Sequence, residues 1–242
     1  MATTEGHLLG GRVLYFQPAT GFRSGVEPVL LAASVPAQAG DYVLEAGSGA
    51  GAALLCLTAR VPGVRATGVE IDASVAGLAA VNARANGFAN IEIVADRIES
   101  AFLPSQFDHA MTNPPYHAPL GSASPNAARE TAKRGSDGLI LGWIGRLSNL
   151  LRPRGSLTLI APAGMVPSCL TAMSRSRCAC TAIFPLWPKA GRPAKLVLLR
   201  GAKDTRAPVR LMPGLVLHQP DGSFSDAAQS ILRDGAALPM DD

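Results

Sequence analysis

Asn113-Pro114-Pro115-Tyr116, with Thr112 before it and His117 after it, holds the densest set of groups able to do chemistry in this chain. It follows a short apolar run, Phe107 to Met111, interrupted by Asp108 and His109. Two prolines fix φ and remove two backbone donors, so a strand that reaches them cannot continue its ladder. The Asn113 amide and the freed backbone carbonyls can then point at a ligand, and Tyr116 offers a flat face. This edge suits a planar substrate with an exocyclic NH2 group, whose hydrogens meet carbonyl oxygens while its ring stacks. A Pro-Pro turn that merely closes a strand has the same local sequence. A second motif upstream favours the chemical reading.

That motif is Glu45-Ala46-Gly47-Ser48-Gly49-Ala50-Gly51, set between the apolar run Tyr42 to Leu44 and a helix-like stretch, Ala52 to Arg60. Glycines there let the backbone turn tightly and approach a ligand, with helix N–H groups facing it. The spacing is not that of a dinucleotide fingerprint. A second strand, Arg65 to Val69, ends in Glu70, the usual place for a carboxylate that binds ribose hydroxyls. A third, Ile91 to Val94, leads to Asp96, where an acid could take an adenine amino group. Open α/β sheets bind ligands at the carboxyl ends of their strands, and all of these residues fall there. Each taken singly is a tight turn or a solvated acid; the ordered set points to a nucleotide-like cofactor.

The elements that must carry these residues alternate. Tyr42 to Leu44, Arg65 to Val69, Ile91 to Val94, Phe107 to Met111 and Ser156 to Ile160 read as strands. Helices are expected over Val29 to Val35, Ala52 to Arg60, Ala73 to Asn86, Leu139 to Leu151 and Met165 to Arg175. Glu27-Pro28 starts the first, since proline suits the first turn and the acid suits its dipole. Arg152-Pro153-Arg154-Gly155 reads as a turn, and Gly10 to Pro18 as a short hairpin or extended strand. Two later strands, near Cys180 to Phe184 and Lys195 to Arg200, flank a Pro/Gly/basic loop. Alternating β and α units predict a mostly parallel sheet covered on both faces.

With 242 residues the chain can bury a full core. Charged residues are only 17% and hydrophobic residues 48%, which excludes disorder along the whole chain. A net charge of +4 permits an anionic partner without demanding one. The four cysteines show no CxxC spacing and the four histidines are scattered, so no metal site is expected. Reduced thiols in a cytoplasmic protein are the expectation. The longest uncharged stretch, Gly155 to Ser174, contains two prolines and reads as strand plus helix, not as a membrane span. No secretory leader is expected from the first residues.

The order Glu-x-Gly-x-Gly-x-Gly, strand-end Glu, strand-end Asp, Asn-Pro-Pro-Tyr resembles the class I S-adenosylmethionine-dependent methyltransferases that act on amino groups. More closely, residues 8 to 235 are similar to the bacterial tRNA (adenine-N6)-methyltransferases that modify a valine tRNA beside its anticodon. Leu9-Gly10-Gly11-Arg12, Gln17-Pro18, Gly21-Phe22-Arg23, Glu27-Pro28-Val29-Leu30-Leu31-Ala32, and His218 with Asp221-Gly222-Ser223-Phe224 carry that closer likeness. Family members often have Asp where Glu27 stands and Tyr-Thr where Phe224-Ser225 stands. The resemblance implies a Rossmann-like methyltransferase fold: a mostly parallel seven-stranded sheet, helices on both faces, and a late antiparallel hairpin. It implies a cofactor-covering segment over 1–40, a catalytic core over 41–202 and a C-terminal extension over 203–242 packed on the core. Gly47, Gly49 and Gly51 would shape the pocket for the methionine end of S-adenosylmethionine, with Glu45 holding it. Glu70 would bind the ribose, Asp96 the adenine, and the Gln17 to Arg23 segment would cover the cofactor. Asn113 and the Pro114 carbonyl, on the edge completed by Pro115, would accept hydrogen bonds from the target N6 amine, and Tyr116 would stack on the base.

Basic residues supply candidate contacts to tRNA or another structured RNA. Arg129, Lys133 and Arg134 follow the Asn113 edge, and Lys189, Arg192 and Lys195 surround the late hairpin. Arg152 and Arg154 are weighed equally as solvated charges. Trp143 falls in an apolar helix and is expected in the core; Trp187 is expected exposed beside the substrate. A protein-glutamine N5-methyltransferase uses the same kind of edge, but usually carries a helical N-terminal domain, and only about 40 residues precede the first core strand here. A cofactor- or RNA-binding protein without catalysis has no need of Asn113 and Tyr116 together. A monomer or homodimer is expected.

Overall fold

A computed structural model describes residues 1–20, 25–104, 106–115 and 125–240, with the backbone alone for 125–137. Eleven strands are present among them: β1 (Thr3–Leu8), β2 (Val13–Pro18), β3 (Tyr42–Ala46), β4 (Arg65–Glu70), β5 (Ile91–Ala95), β6 (Phe107–Thr112), β7 (Leu151–Pro162), β8 (Cys178–Lys189), β9 (Leu196–Lys203), β10 (Arg210–Leu211) and β11 (Leu215–His218). The helices are α1 (Glu27–Ser34), α2 (Ala52–Arg60), α3 (Ala73–Ala85), α4 (Pro125–Leu150), α5 (Val166–Arg175) and α6 (Asp226–Asp234).

The central sheet runs β5-β4-β3-β6-β7-β9-β8. Its first five strands are parallel; β9 is antiparallel to both β7 and β8. This is the expected seven-stranded core, and the structure adds to it. The short strands β10 and β11 both pair in parallel with the outer edge of β8. The hairpin β1–β2 stands as a separate two-stranded sheet.

Burial on both faces follows from the apolar runs. One core gathers α1, α2, α6 and the hairpin around Leu30, Leu31, Leu54 and Leu57, all fully buried. The other packs Ile140, Ile144 and Leu147 of α4 and Cys169, Ala172 and Met173 of α5 against Leu44, Phe107 and Leu157. Helix α1 is buried from Val29 to Ser34, so its end needs internal partners for its last carbonyls. Arg60 supplies them to Ala32 and Val35 at 2.9 and 2.6 Å, and Arg200 to Ser34. Cations at a helix C-terminus also oppose its dipole.

The amino ends of the strands are tied by polar side chains. Asp108 accepts from the Tyr42 N–H at 2.7 Å and pairs with Arg152 at 2.6 Å. His109 bridges Ser156 at 2.8 Å and Asp41 at 3.1 Å. The turn expected over residues 152–155 is an irregularity inside β7: Arg154 has φ +64°, and the pairing with β6 jumps from Phe107↔Leu151 to His109↔Ser156.

Phe107 is fully buried, with its ring centroid 4.3 Å from that of Tyr42. Truncating it leaves a cavity between β6 and α4. Phe107→Ala is expected to lower the unfolding free energy by about 3–5 kcal/mol. Urea unfolding checks this as a lower midpoint at an unchanged slope.

Candidate active site

Backbone register assembles the site. Ala46, the last residue of β3, pairs with Val69 on one side and Thr112 on the other. Glu70, the last of β4, pairs with Ala95. The residues that follow these ends therefore lie in a row: Asn113, the Gly47 loop, Glu70 and Asp96. Hydrogen bonds hold the row together. Thr112 Oγ1 donates to the Ala46 carbonyl at 3.0 Å. The Gly47 and Ser48 N–H groups donate to the Val69 carbonyl at 2.9 and 3.1 Å, and Asp96 N–H donates to the Glu70 carbonyl at 3.0 Å.

The loop from Gly47 to Gly51 turns through three glycines of positive φ, +69°, +54° and +89°. At Gly47 the requirement is also steric, because a Cβ there would sit 2.8 Å from Cη2 of Trp143. Gly49 has nothing within 4 Å of that position, so this part of the loop faces open space. Its N–H donates to Glu70 Oε2 at 2.9 Å, and the Asp72 N–H donates to Glu70 Oε1 at 2.9 Å. Each carboxylate oxygen keeps a further lone pair for a ligand hydroxyl. Asp96 Oδ1 accepts from the Arg97 N–H at 2.7 Å.

Glu45 is 3% exposed, and its Oε2 has no partner among the described residues. Burial pushes its carboxyl well above the usual carboxylate range; the Leu54 N–H in the first turn of α2 pulls it down, and the charge of Glu70 adds to the rise. A buried oxygen without a partner beside an open glycine loop is a place for a cationic ligand group.

Asn113 is half-buried, Pro114 buried and Pro115 exposed. Tyr116 and Arg23 lie outside the described residues, as do the side chains of Arg129, Lys133 and Arg134. The backbone of that basic trio is in the first half of α4. Lys189 ends β8 at the same end of the sheet as Asn113, half-buried, with Nζ donating to the Pro220 carbonyl at 2.9 Å. Arg192 and Lys195 are exposed on the β8–β9 connection. Arg152 and Arg154 belong to the opposite end, where Arg154 lines a separate cleft of about 450 Å3 with His109 and Arg200. Trp187 is half-buried, its Nε1 donating to the Pro213 carbonyl at 3.1 Å.

Four further residues shape the site that the sequence does not assign to it. Trp143 is half-buried over Gly47, and its indole N–H donates to Glu99 Oε1 at 3.1 Å. Gly68 lets β4 lie against the loop, since a Cβ there would meet Leu54 at 2.7 Å and Ser48 Oγ at 2.9 Å. Ile71, beside Glu70, is 60% exposed and offers an apolar face at the rim. Asn82 of α3 donates to the Ala50 carbonyl at 2.9 Å from a fully buried position. A glycine inside an apolar strand was the available signal for Gly68. Nothing local marks the other three.

The Methyltransferase small domain family matches residues 27–142. The tRNA1(Val) (adenine(37)-N6)-methyltransferase of Aeromonas hydrophila is 30% identical over 209 residues, covering 84% of this chain and 85% of that protein. The chain belongs to this methyltransferase family. The protein of the same name from Dickeya chrysanthemi is 31% identical over 221 residues, covering 87% of this chain and 86% of its own length. A solved structure described as a predicted O-methyltransferase from Agrobacterium tumefaciens superposes with a TM-score of 0.75, at 24% identity, over 89% of this chain and 100% of that one. That likeness shows the class I methyltransferase fold. The chain is an S-adenosylmethionine-dependent methyltransferase.

The residues present fit that cofactor. Glu45 offers an unpartnered buried carboxyl oxygen for an ammonium group, and Glu70 offers two oxygens for ribose hydroxyls. Among the described residues no group of three or more His, Cys, Asp or Glu side chains could hold a metal, and no helix is long and apolar enough to cross a membrane.

A cofactor ammonium seated on Glu45 would make binding depend on pH. The carboxyl is held toward its protonated form by burial, and the ammonium would favour the ionised form, so that binding would release a proton. The affinity for S-adenosylhomocysteine, which keeps the ammonium, is expected to strengthen as pH rises through the elevated Glu45 range. Glu45→Gln is expected to bind more weakly and to flatten this dependence. Calorimetry in buffers of different ionisation enthalpy reads both the affinity and the proton released.

Proposed function

We propose that this enzyme moves the methyl group of S-adenosylmethionine to the N6 amine of an adenine in tRNA, at the position beside the anticodon of a valine tRNA. The observation that carries this reading is the pairing of Thr112 with Ala46, which sets Asn113 directly beside the glycine loop. The names of the two relatives, each matched over most of its length, support the substrate.

In this reading Glu45 and the Gly47, Gly49 and Gly51 loop hold the methionine end of the cofactor, Glu70 the ribose and Asp96 the adenine amino group. Ile71 covers a face of the adenine ring, and Arg23 belongs to the segment that closes over it. The bound cofactor supplies an electrophilic methyl group on a sulfonium. The protein prepares the nucleophile. An aromatic amine attacks poorly because its lone pair is delocalised into the ring. The Asn113 carboxamide oxygen and the Pro114 carbonyl accept its two hydrogens and turn them out of the ring plane, which returns lone-pair density to nitrogen. Pro115 stiffens this edge, and Tyr116 stacks on the extruded base. In-line transfer then needs positioning and electrostatics more than a strong base. Leaving the stack costs least for a base already in a loop, as in an anticodon loop.

RNA is held by charge around this end of the sheet. Lys189 and Arg192 on the β8–β9 connection, with Arg129, Lys133 and Arg134 on α4, contact phosphates in this reading. Residues 1–40 act as the cofactor-covering part, 41–202 as the catalytic core, and 203–242 as an extension packed on the core.

Methyl transfer from labelled S-adenosylmethionine into unmodified total tRNA tests the reading. Label in N6-methyladenosine is expected, and Asn113→Ala is expected to reduce kcat/KM on the order of 100- to 1000-fold while tRNA affinity stays close to wild type. Arg192→Gln is expected to weaken tRNA binding and to reduce by about one the slope of log K against log salt. Label in a protein glutamine, with none in tRNA, would overturn the substrate and leave the chemistry.

A further inference from the structure

Strand β2 is paired with β1 through one edge only. Its other edge turns the backbone groups of Leu14 and Phe16 toward α3, where two asparagine side chains receive them. The Leu14 N–H donates to Asn86 Oδ1 at 2.9 Å and its carbonyl accepts from Asn86 Nδ2 at 2.7 Å. The Phe16 N–H donates to Asn82 Oδ1 at 2.9 Å and its carbonyl accepts from Asn82 Nδ2 at 2.8 Å. Each carboxamide thus imitates the backbone of a neighbouring strand. The spacing is commensurate: two strand residues advance about 6.6 Å, and four helical residues about 6 Å.

The second hydrogen of each Nδ2 separates the two roles. Asn86 spends it on the Asn82 carbonyl of its own helix at 2.8 Å. Asn82 spends it on the Ala50 carbonyl at 2.9 Å, between Gly49 and Gly51 in the cofactor loop. That bond sets the plane of the Ala50–Gly51 peptide, whose N–H closes the loop onto the Ser48 carbonyl at 2.9 Å. Asn82 is fully buried, so no water can replace a lost partner. Only asparagine has one acceptor and two donors at this reach; aspartate would set oxygens against the Phe16 and Ala50 carbonyls.

We propose that Asn82 is a positioning residue that couples the β1–β2 hairpin to the cofactor loop, so that cofactor binding tightens hairpin docking and hairpin docking tightens cofactor binding by the same factor. This rests on the reading of residues 47–51 as the cofactor loop. A loop ordered by cofactor holds its Ala50 carbonyl in the orientation Asn82 requires. Asn82 then presents its oxygen and remaining hydrogen to Phe16 in fixed register.

Amide exchange of the wild-type protein with and without S-adenosylhomocysteine tests the coupling without any substitution. Exchange at Leu14 and Phe16 is expected to slow by about 5- to 150-fold on binding. Asn82→Ala, shown folded by circular dichroism, is expected to weaken S-adenosylhomocysteine by a comparable factor and to abolish its effect on the hairpin. Asn86→Ala is expected to speed exchange at Leu14 with and without ligand, while binding still slows exchange at Phe16. Hairpin exchange indifferent to ligand in the wild type, or wild-type affinity in Asn82→Ala, overturns the proposal. Glu70→Ala separates the two readings. If it loses affinity while the hairpin stays indifferent, the coupling alone is wrong. If it binds as wild type does, the assignment of the cofactor site is wrong and the coupling falls with it.

Discussion

The pairing of β3 with a parallel neighbour on each side is the constraint on which the site depends. Parallel strands in register end at a common level, and whatever follows them is delivered side by side. Ala46 lies between Val69 and Thr112, and Glu70 lies beside Ala95, so loops distant in the chain meet without any contact of their own having to bring them together. The side-chain bonds refine this order. The Thr112 hydroxyl on the Ala46 carbonyl and the Glu70 carboxylate on the Gly49 N–H keep the loops from drifting by the fraction of an ångström that a transfer between two bound molecules cannot tolerate.

Two different means of removing the backbone from its ladder meet at this level. On β3 the exit is a run of positive-φ glycines, which bends the chain back and spends the Gly47, Ser48 and Gly49 N–H groups on Val69 and Glu70. On β6 it is Pro114-Pro115, which removes N–H groups and leaves carbonyls. Between them Trp143 closes on Gly47, so the helix that carries the basic trio also forms a wall of the glycine loop.

What could be read from the sequence was local. Apolar runs ending in Gly, Glu, Asp or Asn-Pro-Pro are visible as strings, and they place Glu45, Glu70, Asp96 and Asn113 at strand ends. Strand β1 left no such trace. Thr3-Thr4-Glu5-Gly6-His7 has no apolar alternation, because the strand is exposed on every second residue and takes its order from β2. Asn82 and Asn86 read as ordinary polar residues on a helix, since the strand edge they satisfy is about 70 residues away in the chain. Trp143 read as core for the same reason: helical periodicity says that a face is covered, not what covers it. The short strands β10 and β11 are set by an edge already formed, and two to four residues carry too little pattern to announce themselves.

That edge belongs to β8, which is 12 residues long and would otherwise end the sheet with a row of unpaired donors and acceptors. Two short strands share its protection: β10 covers Ala182 and Ile183, and β11 covers Leu186 to Lys189. Both come from the last part of the chain, which continues through α6 to a backbone bond between the Leu238 N–H and the Ala33 carbonyl of α1. The terminal segment is thus a solubility device as well as a structural one. A shortened chain stopping at Lys203 would keep every residue of the strand-end row, yet it would present a long β-edge containing Phe184, Leu186 and Trp187 to any other copy. Self-association through that edge, not loss of the strand-end residues, is the cost of trimming the protein to its core.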